Sequence, residues 1–361
     1  MPRRPARRSR RRLVVLLSSL LGLALAVTAA MPVLRHYEIW PFSDQGARLD
    51  FGRTAPDASG AGSGDHVDAA PSGTRLPSGP WADFRVAHRL DDGTHIGVVT
   101  YRGPMSGFTG RVWVWAPKAY FDPRFARSGF PVLIALPGGP GFPDNYWADP
   151  SLRLEESIGR WYAQGRSKPF LLAMPVLNPA TDKGGLYWDG SDIPGQPRMG
   201  TWLTQDVPDL MRANFRTLDS RDGWAFLGSS SGGFAGLKAV LQFPGRFKAV
   251  LASGPDIVPD SPLWRGHESE QRQNDPRALA RALIARGGPD VYLAFQVGSR
   301  ENRATVAAIR DFVAAYGKGP VHTQLHVIPG GRHNAYTYVP AMADGPVEWI
   351  SSHLQGPTPA R

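Results

Sequence analysis

From Pro131 onward, six short apolar runs each stop at Gly or Pro: "PVLIALPGG", "PFLLAMPVLNP", "GWAFLGSS", "FKAVLASGP", "VYLAFQVGS" and "TQLHVIPGG". Helical patterns lie between and after them, at Leu152–Gln164, Trp202–Asn214, Gly233–Gln242, Pro276–Ala285, Ala304–Tyr316 and Pro346–Leu354. A strand apolar at every position must be buried on both faces. Such strands, alternating with helices, predict a mostly parallel sheet covered by helices on both sides. "HIGVVTYRG" and "RVWVWAPKAY" precede it as an expected antiparallel pair joined by a Gly-rich turn. We expect one α/β domain over residues 81–361, in a chain whose 42% apolar residues suffice for a sizeable core.

In a sheet of this kind, ligands sit beyond the carboxyl ends of the strands. One strand end is distinctive. Gly228-Ser229-Ser230-Ser231-Gly232 fits G-x-S-x-G, with the strand "WAFLG" before it and a helix after it. The turn is too tight for side chains two residues either side of the serine, so glycines stand there. The Ser230 hydroxyl is then raised above the sheet edge, and the Ser231 amide faces a developing oxyanion. A loop of Gly and Ser without chemistry is the alternative reading of the same five residues.

A hydroxyl nucleophile needs a base, and the chain has nine histidines. Most fall in early strands, polar loops or the last helix. His333, in "HVIPGGRHNAY", sits in a Gly-rich loop just past the last strand, on the edge expected to carry Ser230. The acid belongs after the preceding strand, where "VYLAFQVGSREN" offers Glu301. Asp256, in "SGPDIVPD", is its rival. The order serine, acid, histidine is that of the α/β-hydrolase fold. A second oxyanion amide is expected from "LIALPGGPGF", at Gly139 before Gly138.

With these residues in place, the chain resembles the esterase D family, which includes the antigen 85 mycolyltransferases. The resemblance rests on "GSSSGGFAGLKAVLQFPGRFKAVLASGP" and "GTWLTQDVPDLMRANF", and it covers most of Trp81 to Leu354. It implies a triad of Ser230, Glu301 and His333, action on esters and thioesters, and acyl transfer to a sugar acceptor in some members. Two features depart from the family. A tryptophan often follows its histidine, whereas this chain reads "HNAYTY". The loop "PGGPG" is closer to the "HGGPG" of proline iminopeptidases. Those enzymes insert a helical cap between serine and acid regions, usually much longer than the separation of 71 positions from Ser230 to Glu301. Little or no lid is therefore expected. Tyr187, Trp188 and Trp202 also fall near the expected site, as packing residues or as rings for an acyl chain or sugar.

The ends bear on location. Seven arginines within the first twelve residues, and Arg35, precede and follow an uncharged stretch from Leu13 to Leu34. At roughly 1.5 Å per residue that stretch covers about 33 Å, enough for a bilayer. Residues 1–40 therefore read as a basic flank with a retained membrane anchor or a cleaved signal peptide, and the rest as facing outward. Removing those eight arginines from the net charge of +10 leaves the body near neutral, which takes away the support for a nucleic-acid partner. Residues 41–80, rich in Gly, Ser, Pro, Ala and Asp, are expected to be a disordered spacer. With no cysteine there is no disulfide, thiolate metal site or thiol nucleophile. The expected protein is a cofactor-free extracytoplasmic serine esterase or acyltransferase. An iminopeptidase-like enzyme and a non-catalytic envelope scaffold remain the alternatives.

Overall fold

In the computed structural model, the described residues are 46–52, 70–180 and 186–360. The chain divides into two units, 1–47 and 48–361, and every helix and strand among the described residues lies in the second. The expected anchor at 13–34 lies outside the described residues. Among those described, no helix is long and apolar enough to cross a membrane.

A nine-stranded sheet forms the centre. In chain order its strands are β2 (Arg85–Arg89), β3 (His95–Arg102), β4 (Thr109–Trp115), β5 (Val132–Leu136), β6 (Leu171–Pro175), β8 (Trp224–Ser229), β9 (Ala249–Ser253), β10 (Val291–Gly298) and β11 (Val321–Ile328), with the short β1 (Thr74–Arg75) and β7 (Thr217–Leu218) outside it. They lie side by side as β11-β10-β9-β8-β5-β6-β4-β3-β2. From β6 through β5 and on to β11 every pairing is parallel, and β4, β3 and β2 add antiparallel pairings. The parallel sheet and its helices have the α/β-hydrolase architecture, and the six apolar runs are its parallel strands. The antiparallel portion is one strand wider than the expected pair, because "RVAHR" adds β2. Strands β5, β6, β8 and β9 are buried at every position. The outer strands β2 and β11 carry polar residues such as Arg85 and His322, which suit a sheet edge facing water.

The expected spacer at 41–80 gives way at both ends. Phe51 is buried, with its ring edge-on to Phe84 and Phe215 at centroid distances of 5.4 and 5.0 Å. β1 (Thr74–Arg75) pairs antiparallel with β7 (Thr217–Leu218). One apolar side chain and a two-residue strand create no periodicity, so polar composition hid them. Residues 41–45 and 53–69 of the expected spacer lie outside the described residues.

Register sets where the site forms. Leu136 of β5 pairs with Gly228, Ser229 with Ser253, Ser253 with Gln296, and Gly298 with Ile328. The carboxyl ends of these strands thus finish level, and the loops after β5, β8, β9, β10 and β11 leave from one rim. The helix Ser231–Gln242 packs tightly behind that rim. A Cβ on its Gly236 would approach the Phe226 Cβ to 3.0 Å. Its Lys238, almost fully buried, donates to the carbonyls of Asp189 (3.0 Å) and Gly190 (2.7 Å) and to the Ser191 hydroxyl. Burial pushes that ammonium down to about 8. These bonds tie the 189–191 turn to the helix.

Candidate active site

Ser230 joins β8 to the helix Ser231–Gln242 with φ +52° and ψ −126°. Side chains avoid this region, and holding one there costs roughly 1–3 kcal/mol. The surroundings explain how it is held. The Ser230 amide donates to the Ser253 carbonyl at 2.9 Å. A Cβ on Gly228 would come within 2.4 Å of the Gly232 carbonyl oxygen, and one on Gly232 within 2.3 Å of the Leu136 oxygen. Both glycines of G-x-S-x-G are therefore required by contact as well as by the turn.

The loop after β5 closes on this turn. The Ser231 hydroxyl donates to the Gly139 carbonyl at 3.0 Å, and Gly139 has φ +66°. Among the described residues, neither the Gly139 amide nor the Ser231 amide has a protein acceptor. The Gly138 amide does, because it donates to the Tyr146 hydroxyl at 2.6 Å. That hydroxyl also bonds the Ser229 hydroxyl.

On the other side, His333 Nδ1 lies 2.6 Å from Glu301 Oε2. Glu301 Oε1 accepts from the Gly298 amide at 2.5 Å and from the Tyr338 hydroxyl at 2.8 Å. The Tyr338 oxygen is also 2.8 Å from His333 Nδ1, so the ring N–H is shared between carboxylate and phenol. Burial works to raise the Glu301 carboxyl, but the bonds from His333, Gly298 and Tyr338 outweigh it and hold the group below its ordinary value. The same bond to Glu301 holds His333 above its ordinary value, against its burial. A proton fixed on Nδ1 leaves Nε2 as the basic nitrogen. Gly254 makes the approach possible. A Cβ there would meet the Tyr338 oxygen at 2.4 Å and Glu301 Oε2 at 2.7 Å.

Asp256 does not share this contact. Burial and the Asp260 charge raise its carboxyl, while the His333 charge works against them. It lines a separate cavity of about 430 Å³ with Asp260 and Asp311. Ser230, His333, Gly139 and Tyr146 instead line one cavity of about 520 Å³. Leu152 and Tyr336 form part of its wall, and an exposed hydrogen bond of 2.9 Å joins the hydroxyls of Tyr336 and Ser151. Trp188 and Trp202 are core residues bonded to Gln196 and Val176, and neither reaches this cavity. Among the described residues, no cluster of three or more His, Asp or Glu side chains could hold a metal ion.

Tyr146, Gly254 and Tyr338 were not singled out as site residues from the sequence. The Tyr338 ring lies edge-on to the His333 ring at a centroid distance of 5.9 Å, within the "HNAYTY" stretch that departs from the resembled family. Nothing in the spacing of Tyr146 or Gly254 pointed to the rim.

The arrangement suits a serine hydroxyl, a base polarised by a carboxylate, and free amides for an oxyanion. Comparison with known proteins identifies the family. Residues 111–345 match the family model named Esterase. Esterase Rv1288 of Mycobacterium tuberculosis is 24% identical over 283 residues, covering 69% of this chain and 58% of that protein. S-formylglutathione hydrolase of Paracoccus denitrificans is 28% identical over 127 residues, covering 30% of this chain and 45% of that protein. The chain thus spans less than two thirds of the length of these relatives. Among solved structures, a ferulic acid esterase superposes with a TM-score of 0.58 at 16% identity, covering 72% of this chain and 98% of that one. S-formylglutathione hydrolase from Agrobacterium tumefaciens does so with 0.54 at 18% identity, covering 73% and 96%. At such identities the likeness speaks for the fold.

Proposed function

Because the chain belongs to the Esterase family, we propose that it is a serine esterase or acyltransferase using Ser230, His333 and Glu301 on carboxylic esters or thioesters. The observation that carries this reading is the Glu301–His333 contact of 2.6 Å beside a serine held at φ +52° on the same cavity. His333 Nε2 takes the Ser230 proton as the hydroxyl attacks the carbonyl. The Ser231 and Gly139 amides, which lack protein acceptors among the described residues, receive the oxyanion. Collapse releases the alcohol or thiol and leaves an acyl-enzyme. Water then frees the acid, or an acceptor hydroxyl such as a sugar's takes the acyl group.

Ser230→Ala is the test. It should cut turnover of a short nitrophenyl ester by roughly 10⁴-fold or more, with the unfolding midpoint unchanged and no fluorophosphonate adduct. Turnover that survives the substitution would move the nucleophile elsewhere. Product partitioning with and without a sugar acceptor distinguishes transfer from hydrolysis. The proposed location is extracytoplasmic, supported by the arginine flank and the uncharged stretch at 13–34. Protease shaving of intact cells that leaves the chain untouched would count against it.

A further inference from the structure

The loop after β5 places a hydroxyl beside Ser230 that the proposed reaction has not used. Tyr146 begins a short turn, Tyr146–Ala148, whose neighbours are fixed in the core. The buried Asn145 amide donates to the Ala135 carbonyl (2.9 Å) and the Pro175 carbonyl (2.8 Å), and its oxygen accepts from the Trp147 amide (3.0 Å). The Trp147 indole, fully buried, donates to the Leu136 carbonyl at 2.8 Å. Tyr146 is thus carried on a rigid mount at the end of the strand next to β8. Rigid mounting of this kind is what preorganised donors need.

Hydrogen-bond accounting then fixes which way its proton faces. The Tyr146 oxygen accepts the Gly138 N–H at 2.6 Å. Ser229 is 3% exposed, and among the described residues its hydroxyl has no partner other than Tyr146. If Tyr146 donated to Ser229, the Ser229 proton would be buried without an acceptor, at a cost of about 1–3 kcal/mol. Ser229 therefore donates and Tyr146 accepts. With both acceptor positions of the phenol filled, its own O–H has only the cavity to face, and the two incoming bonds polarise it. Burial pushes the phenol up, so it stays protonated at neutral pH. Ser230 lies close by, since a Cβ on Gly138 would stand 3.0 Å from the Ser230 Cβ.

We infer that the Tyr146 hydroxyl is a third donor to the oxyanion, a catalytic residue for the reaction at Ser230; the inference rests on the Ser230 reading above. As the Ser230 Oγ–carbon bond forms, the carbonyl π pair moves onto oxygen and the Oγ proton passes to His333 Nε2. The oxyanion accepts from the Gly139 and Ser231 amides and from the Tyr146 hydroxyl, with no proton transferred from any of them. Collapse re-forms the carbonyl and breaks the bond to the leaving oxygen or sulfur, which takes the proton from Nε2.

Tyr146→Phe in the full chain should lower kcat/KM for nitrophenyl acetate about 10²-fold, with KM within about threefold. Affinity for a trifluoromethyl ketone, which presents a tetrahedral oxyanion, should fall by a similar factor. Ser229→Ala, which keeps the phenol, should cost less than about fivefold. Difluorotyrosine at 146 keeps the shape but ionises at lower pH, so the alkaline limb of the rate profile should move down with it. A wall or packing role would leave that limb in place, and a stationary limb overturns the inference. So does a Tyr146→Phe enzyme within threefold of the parent, or one that loses only KM. Ser230→Ala run alongside separates the two claims. Turnover lost there and kept in Tyr146→Phe overturns the inference alone, whereas turnover kept in Ser230→Ala overturns the reading beneath it.

Discussion

Glu301 and Glu155 are both buried, at 8% and 0% exposure, yet they are opposite in charge behaviour. Glu301, in the loop after β10, accepts from an imidazole, a backbone amide and a phenol, and it stays below its ordinary value. Glu155, in the first turn of the helix Leu154–Ala163, has among the described residues no partner for either side-chain oxygen beyond its own backbone. Burial pushes it up to about 8, with the charges of Glu156, Asp149 and Asp92 adding to the effect. A helix N-terminus favours a carboxylate by only about 0.3–1 kcal/mol at the surface, too little to offset full desolvation. The comparison shows that burial without donors favours the neutral acid. Donors aimed at it preserve the charge, and here they are gathered at the strand ends where a base needs it.

The sharpest way to break this contrast is to take the charge from Glu301. Glu301→Gln should lower kcat roughly 10³- to 10⁴-fold, because the ring loses the partner that sets its tautomer. It should also shift the pH profile. Glu301 holds the protonated imidazole above its ordinary value, so its loss lets the ring deprotonate at lower pH. The acid limb of kcat/KM should therefore move to lower pH even as the rate falls. An acid limb that stays put would mean that Glu301 does not face the base.

The two glutamates also show what was legible in the sequence. Ser230 could be read because its constraint is local, with glycines at fixed offsets between a strand and a helix. Glu301 and His333 could be read because strand order and a common rim follow from the alternation of apolar runs with helices. Tyr146, Gly254 and Tyr338 could not, because each matters through contacts made only when separate loops converge. The same holds for Phe51 and β1, which meet Phe215 and β7 across more than a hundred residues of chain. Nothing in the sequence sets Glu155 apart from its neighbour Glu156, which is paired with Arg153. A one-residue difference in helix phase separates the surface from the core, and the sequence pattern does not resolve it.

Glu155→Met sharpens the contrast through stability. Its folded value is raised, so below its ordinary value the folded and unfolded chains bind the proton alike. Between about 4.5 and about 8 the unfolded chain releases it and the folded chain does not. Stability then falls by up to about 1.4 kcal/mol per pH unit across that window. Methionine removes the titration and nearly keeps the volume. Its gain in unfolding midpoint over the parent should grow from pH 5 to pH 8, with esterase activity within about twofold. A gain equal at both pH values would show that the carboxyl is not held neutral by burial.

Asp256 is the intermediate case and the smallest expected effect. It follows β9, one strand from Glu301, and its carboxyl is raised by burial and by Asp260. It influences His333 through charge alone, adding a minor upward push on the imidazole. Asp256→Asn should therefore leave kcat within about threefold and move the acid limb slightly to lower pH, in the same direction as Glu301→Gln but with the rate retained. The pairing of outcomes is what decides between the two acids, since only a hydrogen-bonded carboxylate fixes a tautomer, whereas any nearby charge can shift a titration. A loss in Asp256→Asn as large as that in Glu301→Gln would transfer the orienting role to the strand before.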